Sequence, residues 1–287
     1  MPSINIVEKE SKGPKEEAGW QNINVYPSPD GLYDAIFFDP FEFHMSAYAW
    51  KIKIVLKESG KVGNYQMLQS FQKNKGLNHL WPYSPWSGAK LFLTNWKSES
   101  CLFDISNNSF KKIQLSGFPI SAVGSQQGSG FVIVTTECSS LLDNNGKTIS
   151  NLDIKSAAYE YPVFHWHRSS DFFFSIHSPN KKSPPMITFY NGISGDKISY
   201  FEIDPRSIVP YDEKSYQKIK RGHFSLATQK SQWTVGYFLD IWSHSEFIQD
   251  SDTLFLRTYR PSSAIYKKNG VDTCDVKERW IEIKIIP

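Results

Sequence analysis

The chain has 287 residues, 40% of them hydrophobic and 15% aromatic, with a net charge of +3. That length can bury a sizeable core in one large β domain or two ordinary ones. The charge is too small, and the basic pairs at Lys181-Lys182 and Lys218-Lys220-Arg221 too slight, to imply nucleic acid; no run approaches the ~18 apolar residues of a membrane span, and residues 1–20 lack the apolar centre of a signal peptide, so the expectation is a cytoplasmic protein with no nucleic-acid or membrane partner.

Residues 1–20 are crowded with Lys and Glu. They read as a disordered tail, or as an edge strand built on Ile4, Ile6 and Val7. From residue 21 to 287 strands recur in groups. In the first group Val25-Tyr26 runs into a Pro29-Asp30-Gly31 turn. Strands at 33–38 and 49–56 follow, then a Ser59-Gly60 turn and a strand at 61–68; the stretch 49–56 alternates apolar and polar, as a half-buried strand does. The second group holds strands at 90–96, 100–105 and 110–115, with a turn at Asn107-Asn108.

The third group is the clearest. An apolar run at 131–134 precedes a strand ending at Leu142, an Asp143-Asn144-Asn145-Gly146 turn and a strand at 148–154. Asn-Gly predicts a tight type I′ hairpin, because both central residues need positive φ. The fourth group has strands at 163–166, 172–176, 186–190 and 198–203, with a turn at Gly195-Asp196. Residues 206–221 break the pattern as a helical or irregular insertion. The fifth group is read at 224–228, 233–241, 254–259, 263–267 and 280–286, with a turn at Asn269-Gly270 and a polar loop at 242–253.

Turns therefore fall at Gly60, Asn108, Gly146, Gly195 and Gly270, at intervals of 48, 38, 49 and 75 residues. The first three intervals bracket the ~40–50 residues of a propeller blade. Tyr26-Pro27-Ser28-Pro29-Asp30-Gly31 resembles the Ser-Pro-Asp-Gly turn of WD40-like and TolB-like β-propellers, and LLDNNGKTISNL and ITFYNGISGDKISYFEI resemble their outer hairpins. The resemblance implies an all-β fold, a single β-propeller of five four-stranded blades. The rival is a pair of β-sandwich domains split near residue 155.

No Gly-x-Ser-x-Gly, Walker loop, His-Glu-x-x-His or Gly-x-Gly-x-x-Gly is present, and no cofactor is expected. Cys101, Cys138 and Cys274 lie too far apart for a Cys-x-x-Cys zinc pair or a disulfide framework, and read as buried thiols. His165 and His167 alternate along one strand and share a face, so with His177 from the next strand they could hold a metal. No carboxylate or Cys sits beside them in sequence, which favours partly buried polar side chains instead. Residues 39–50 are rich in aromatics. Glu42 and His44 face together as an acid/base pair or as solvated neighbours, while Tyr48 and Trp50 could stack on a partner. Trp81 and Trp86 flank a Pro-Tyr-Ser-Pro loop, and Trp242 and His244 sit in the stretch from Asp240 to Glu246. The resemblance brings one further implication: some five-bladed propellers are glycosidases with carboxylates converging in the funnel, for which Asp34, Asp171 and Asp240 are candidates.

The leading expectation is a non-catalytic propeller that binds a protein partner through an aromatic rim: Glu42, His44, Tyr48, Trp50, Trp81, Trp86, Trp242 and His244. Adaptor, inhibitor and immunity proteins fit this description. The alternative is a carbohydrate-active hydrolase or lectin using the funnel, with a small molecule or glycan as its ligand.

Overall fold

Most strands pair with the strand just before them in the chain, and the architecture follows from that. The computed structural model describes residues 3–9, 23–38, 51–75, 83–95, 99–154, 162–168, 170–177, 186–202, 225–227, 232–234, 245–248, 252–261, 266–268 and 271–286. Strand β1 (Ser3–Lys9) opens the chain. The first sheet is β2 (Ile23–Pro27), β3 (Tyr33–Phe38), β4 (Lys51–Leu56) and β5 (Lys61–Val62), in that order. Helix α1 (Gln66–Lys75) and the short β6 (Tyr83–Ser84) come next. The second sheet is β7 (Trp86–Ser87), β8 (Lys90–Thr94), β9 (Ser100–Asp104) and β10 (Ser109–Ile113).

The third sheet is β11 (Pro119–Gly124), β12 (Gly130–Thr135), β13 (Ser139–Asp143) and β14 (Thr148–Leu152), with β6 added parallel to β11. The fourth is β15 (Val163–Trp166), β16 (Phe172–His177), β17 (Met186–Asn191) and β18 (Lys197–Glu202). After β19 (Ser225–Ala227) and β20 (Gln232–Thr234), the terminal sheet is built on β21 (Ser245–Ile248), β22 (Thr253–Pro261), β23 (Tyr266–Lys268) and the long β24 (Val271–Ile286). β1 pairs antiparallel with the end of β24, from Ser3 opposite Ile286 to Lys9 opposite Trp280. The sheets stack in chain order, and the last strands of the first four are largely exposed: this is a β-propeller of five sheets.

Stacking on both faces explains why the inner strands read as continuous apolar runs rather than as alternation. In β12, Phe131 and Ile133 join Leu91, Phe92 and Phe103 of the second sheet in one core. Val132 and Val134 point the other way and join Phe164, Trp166, Phe173 and Tyr190 of the fourth. The last strands, β10, β14 and β18, are exposed along most of their length, which is why they carry Lys, Ser, Thr and Asn.

Four of the expected turns share one backbone solution. Gly60, Asn108, Gly146 and Gly195 all have positive φ, between 51° and 78°, and each closes the hairpin between the third and fourth strands of its sheet. In three of them an acidic or amide side chain organises the turn. Asp104 accepts the N–H of Ser106, Asp143 those of Asn145 and Lys147, and Asn191 those of Ile193 and Ser194, at 2.8–3.0 Å. The type I′ expectation at Asn145-Gly146 is corrected by this. Among the described non-glycine residues only Asn108 and Asp252 have positive φ, so Asn145 does not; the Asp143 carboxylate holds a longer loop, and the ladder absorbs the extra residue as an irregularity between Leu141 and Leu142. These turns also interlock the sheets: a Cβ on Gly146 would lie 2.9 Å from Ile113 of β10, and one on Gly195 would lie 2.7 Å from Ser150 of β14.

Two expectations change. The strand read at 61–68 stops at Val62, and α1 takes over. Leu68 and Phe71, one turn apart, turn toward the second sheet: Leu68 enters its core, and Phe71 stacks on Phe110 at 5.4 Å. The fifth group is also assembled differently. Its innermost strand, β21, lies inside the stretch read as a polar loop, while β19 pairs with β20 and with the start of β24. The insertion at 206–221 and the Asn269-Gly270 turn lie outside the described residues.

Candidate functional site

Antiparallel pairing gives every sheet two unlike ends. At one end lie the turns joining first to second and third to fourth strands. They touch from sheet to sheet. The Lys90 ammonium donates to the Asn144 carbonyl and to the Asn145 side-chain oxygen, both at 3.0 Å. The Ser129 hydroxyl donates to Asp171 at 3.2 Å, and His167 Nε2 lies 3.1 Å from the Asp252 carboxylate. Backbone bonds repeat as well: Ser28, Ser125 and His167 each donate an N–H to the carbonyl five residues on, at Tyr33, Gly130 and Phe172. The Ser-Pro-Asp-Gly turn at Ser28 was legible in sequence. Its counterparts, Ser125-Gln126-Gln127-Gly128 and the turn starting at His167, were not, because only their backbone bonding is shared.

The opposite end carries the long connections. The segments holding Glu42, His44, Tyr48 and Trp50, then Trp81, then Trp242 and His244, lie outside the described residues. Their anchors do not: Phe38, Lys51 and Ser245 are strand ends of the first and terminal sheets, all at this end. Trp86 is a correction. It is 2% exposed, paired with Leu91, and its indole N–H donates to the Tyr26 carbonyl at 2.8 Å. The two-residue turn at Gly88-Ala89 puts Trp86 opposite a core leucine, so it ties the second sheet to the first and cannot serve a rim. That turn was the signal for its burial.

The carboxylates proposed for a funnel site are scattered among the described residues. Across the first strands of the five sheets, β2, β7, β11, β15 and β21, Glu246 is the one carboxylate. Asp34 lies on β3 and pairs with Lys57 at 3.0 Å. Asp171 lies in the turn between β15 and β16, and Asp240 falls outside the described residues. Inner strands approach so closely that a Cβ on Gly124 would lie 1.9 Å from the Trp86 carbonyl oxygen, and β6 runs along the inner edge of β11. Glycoside hydrolysis needs two carboxyl groups flanking the scissile bond, and neither described candidate, Asp34 or Asp171, lies on the first strand of its sheet.

The histidines divide between two faces. His165 and His167 do share one, but β15 and β16 pair with His165 opposite Phe174, which sends His177 to the other face of the sheet. His177 therefore cannot complete a site with them. Its Nδ1 lies 3.1 Å from the Ser175 hydroxyl, His165 packs on Phe174, and His167 stacks on Phe172. Burial pushes the His165 imidazole down to about 4; burial, then Lys197, do the same for His177. Burial also lowers His167, against the pull of Asp252. No group of three metal-ligating side chains occurs among the described residues.

At the loop-bearing end the β12–β13 turn is held by Thr135, whose hydroxyl oxygen accepts the N–H groups of Glu137 and Cys138 at 3.2 and 3.1 Å. A hollow of about 720 Å³ opens beside it, lined by Thr136, Glu137, Cys138, Asn151, Asp153 and Pro162 among others. Cys138 is a free, half-buried thiol and Cys101 a buried one that burial pushes well above the usual thiol range. No described helix is long and apolar enough to cross a membrane.

No protein-family model matches the chain, and no curated protein matches it. Among solved structures it is similar to the β-propeller domain of Cps50 (Swd1) from Myceliophteria thermophila, at 10% identity and a TM-score of 0.49, over 95% of this chain and 73% of that one. A chain of the mitotic checkpoint complex matches at 11% identity and a TM-score of 0.44, over 88% of this chain and 62% of that one. Prolyl oligopeptidase B from Galerina marginata matches at 11% and 0.41, over 63% and 27%. Likenesses this distant add nothing to what the sheets themselves establish. The class is an all-β propeller, and its surface divides into a tight-turn end and a loop-bearing end.

Proposed function

We propose that this propeller binds a protein partner through the aromatic connections at its loop-bearing end, as an adaptor, inhibitor or immunity-type protein. One observation carries the reading. The segment 39–50 and the segment holding Trp242 and His244 adjoin strand ends, Phe38, Lys51 and Ser245, that lie at the same end of the sheets, on the first sheet and on the terminal sheet. Loops on a rigid scaffold are where recognition concentrates, and Trp and Tyr dominate interface hot spots because they bury much area with few rotatable bonds.

The test is quantitative affinity capture with the whole protein. Proteins held by the unaltered chain should be lost from the Trp50→Ala/Trp242→Ala variant and retained by Gln127→Ala at the tight-turn end, with equal thermal stability in all three. Equal capture by all three would defeat the reading.

A further inference from the structure

The terminal sheet is longer than the other four. Their second and third strands have five or six residues, whereas β22 has nine and β24 sixteen. β21 begins at Ser245, opposite Leu256, which pairs in turn with Ile281. Past that level β22 continues through residues 257–261, and β24 adds residues 271–280, about 33 Å of extended chain. The connection between second and third strands lies at the loop-bearing end, so this arm extends from that end. Near Thr273 the arm is four strands wide, because β23 and β19 flank β24 and β20 pairs with β19. Register changes one of its faces from apolar to basic. Leu254 is opposite Ile283, both fully buried, and Leu256 is opposite Ile281. The next two positions on that face are Thr258 opposite Arg279 and Arg260 opposite Lys277. Like charges at facing positions repel, and an anion bound on that face would relieve the repulsion. Residues 257–279 hold six basic and three acidic residues and the rest of the chain 26 of each, so the whole surplus of positive charge sits in the arm.

We propose that this arm binds an acidic segment of a protein partner, with Arg260, Lys277 and Arg279 as the anion-binding residues. The proposal rests on the reading that the loop-bearing end binds a protein, and it adds the partner's chemistry. Charge complementarity carries it. Arginine meets a carboxylate through two parallel hydrogen bonds, which gives such a pair direction as well as energy. The width of the arm favours a protein over nucleic acid. A two-stranded ribbon enters the ~12 Å major groove of DNA, whereas four strands span about 14 Å between their outer axes alone.

The test is fluorescence anisotropy with the whole protein at about 0.15 M salt, where loose attraction between distant charges is screened. The probes are a labelled random copolymer of glutamate and tyrosine, and a labelled DNA duplex. The copolymer should bind more tightly than the duplex. Arg260→Glu sets a carboxylate opposite Lys277, an attractive pair that should hold or raise thermal stability. It should nevertheless weaken copolymer binding at least about 10-fold. The reciprocal change, Lys277→Glu, should do the same. Lys111→Glu on the exposed β10 alters net charge equally and should leave the affinity unchanged. No copolymer binding, tighter binding of the duplex, or equal weakening by Lys111→Glu overturns the proposal. Trp50→Ala/Trp242→Ala separates it from the aromatic reading. If that variant loses the copolymer while Arg260→Glu keeps it, the aromatic reading stands and the arm's role falls. If Arg260→Glu loses it and the tryptophan variant does not, the arm's role stands without the aromatic segments.

Discussion

The third sheet and the terminal sheet meet the same requirement with different stretches of chain. The third is four consecutive strands between Pro119 and Leu152, joined by short turns and packed on both faces. The terminal sheet draws β21, β22 and β24 from the last 43 residues and its edge strand, β1, from the first nine. The local sheet can form as its chain is made. The terminal one must bring together segments more than 270 residues apart, and the entropy of that closure is offset only when the whole set of sheets is in place. Local order is therefore legible in a sequence window, and closure is not.

The largest effect expected on this contrast comes from Phe131→Ala. It removes a fully buried ring from the core shared by the second and third sheets, and should cost about 3–5 kcal/mol in urea unfolding. A smaller loss after repacking would show that the third sheet can collapse around the void. Removing residues 1–9 should act locally instead. Amide exchange at Leu254, Ile283 and Ile285 should quicken by roughly 100-fold while Val132 and Leu141 keep their protection; uniform loss across both sheets would mean that closure and the third sheet unfold as one unit.

Acid should strike the fourth sheet, which lies between them. The imidazoles of His165 and His177 are held down to about 4 from an ordinary 6.5. Their contribution is complete above pH 6.5 and is lost as pH falls toward 4, so unfolding at pH 4.5 should be easier by roughly 2–3 kcal/mol for each. Replacing His165 with Phe should flatten part of that slope, and an unchanged slope would mean the ring is solvated. The smallest effect separates two glycines with nearly equal φ. Gly195→Ala combines a φ of +78° with a Cβ 2.7 Å from Ser150 and should cost about 2 kcal/mol, whereas Gly60→Ala, with φ +63° and open space around it, should cost about 1 kcal/mol. Equal losses would show that the turn of the fourth sheet does not interlock with the third.

Particular residues mark where sequence reasoning succeeds. Gly60, Asn108, Gly146 and Gly195 were readable because a left-handed backbone position leaves a chemical signature in its own residue. Trp86 was misread as a loop residue because its burial depends on a two-residue turn and on Leu91 across it. His177 was misplaced because one step of register decides its face, and register is settled by the partner strand. Helix α1 was missed although Gln, Met, Leu and Lys favour a helix, since the alternation of 49–56 was carried on past the Gly60 turn.

By itself, then, the order of residues determined most strands of the first four sheets, the turns between their third and fourth strands and the exposed character of their last strands, since these depend on neighbours a few residues away. The tertiary structure alone decided which faces His165 and His177 occupy, that Trp86 binds one sheet to the next, and that the edge strand legible at Ile4, Ile6 and Val7 joins the last sheet. Those outcomes turn on contacts between segments that only packing brings together, and no local pattern encodes them.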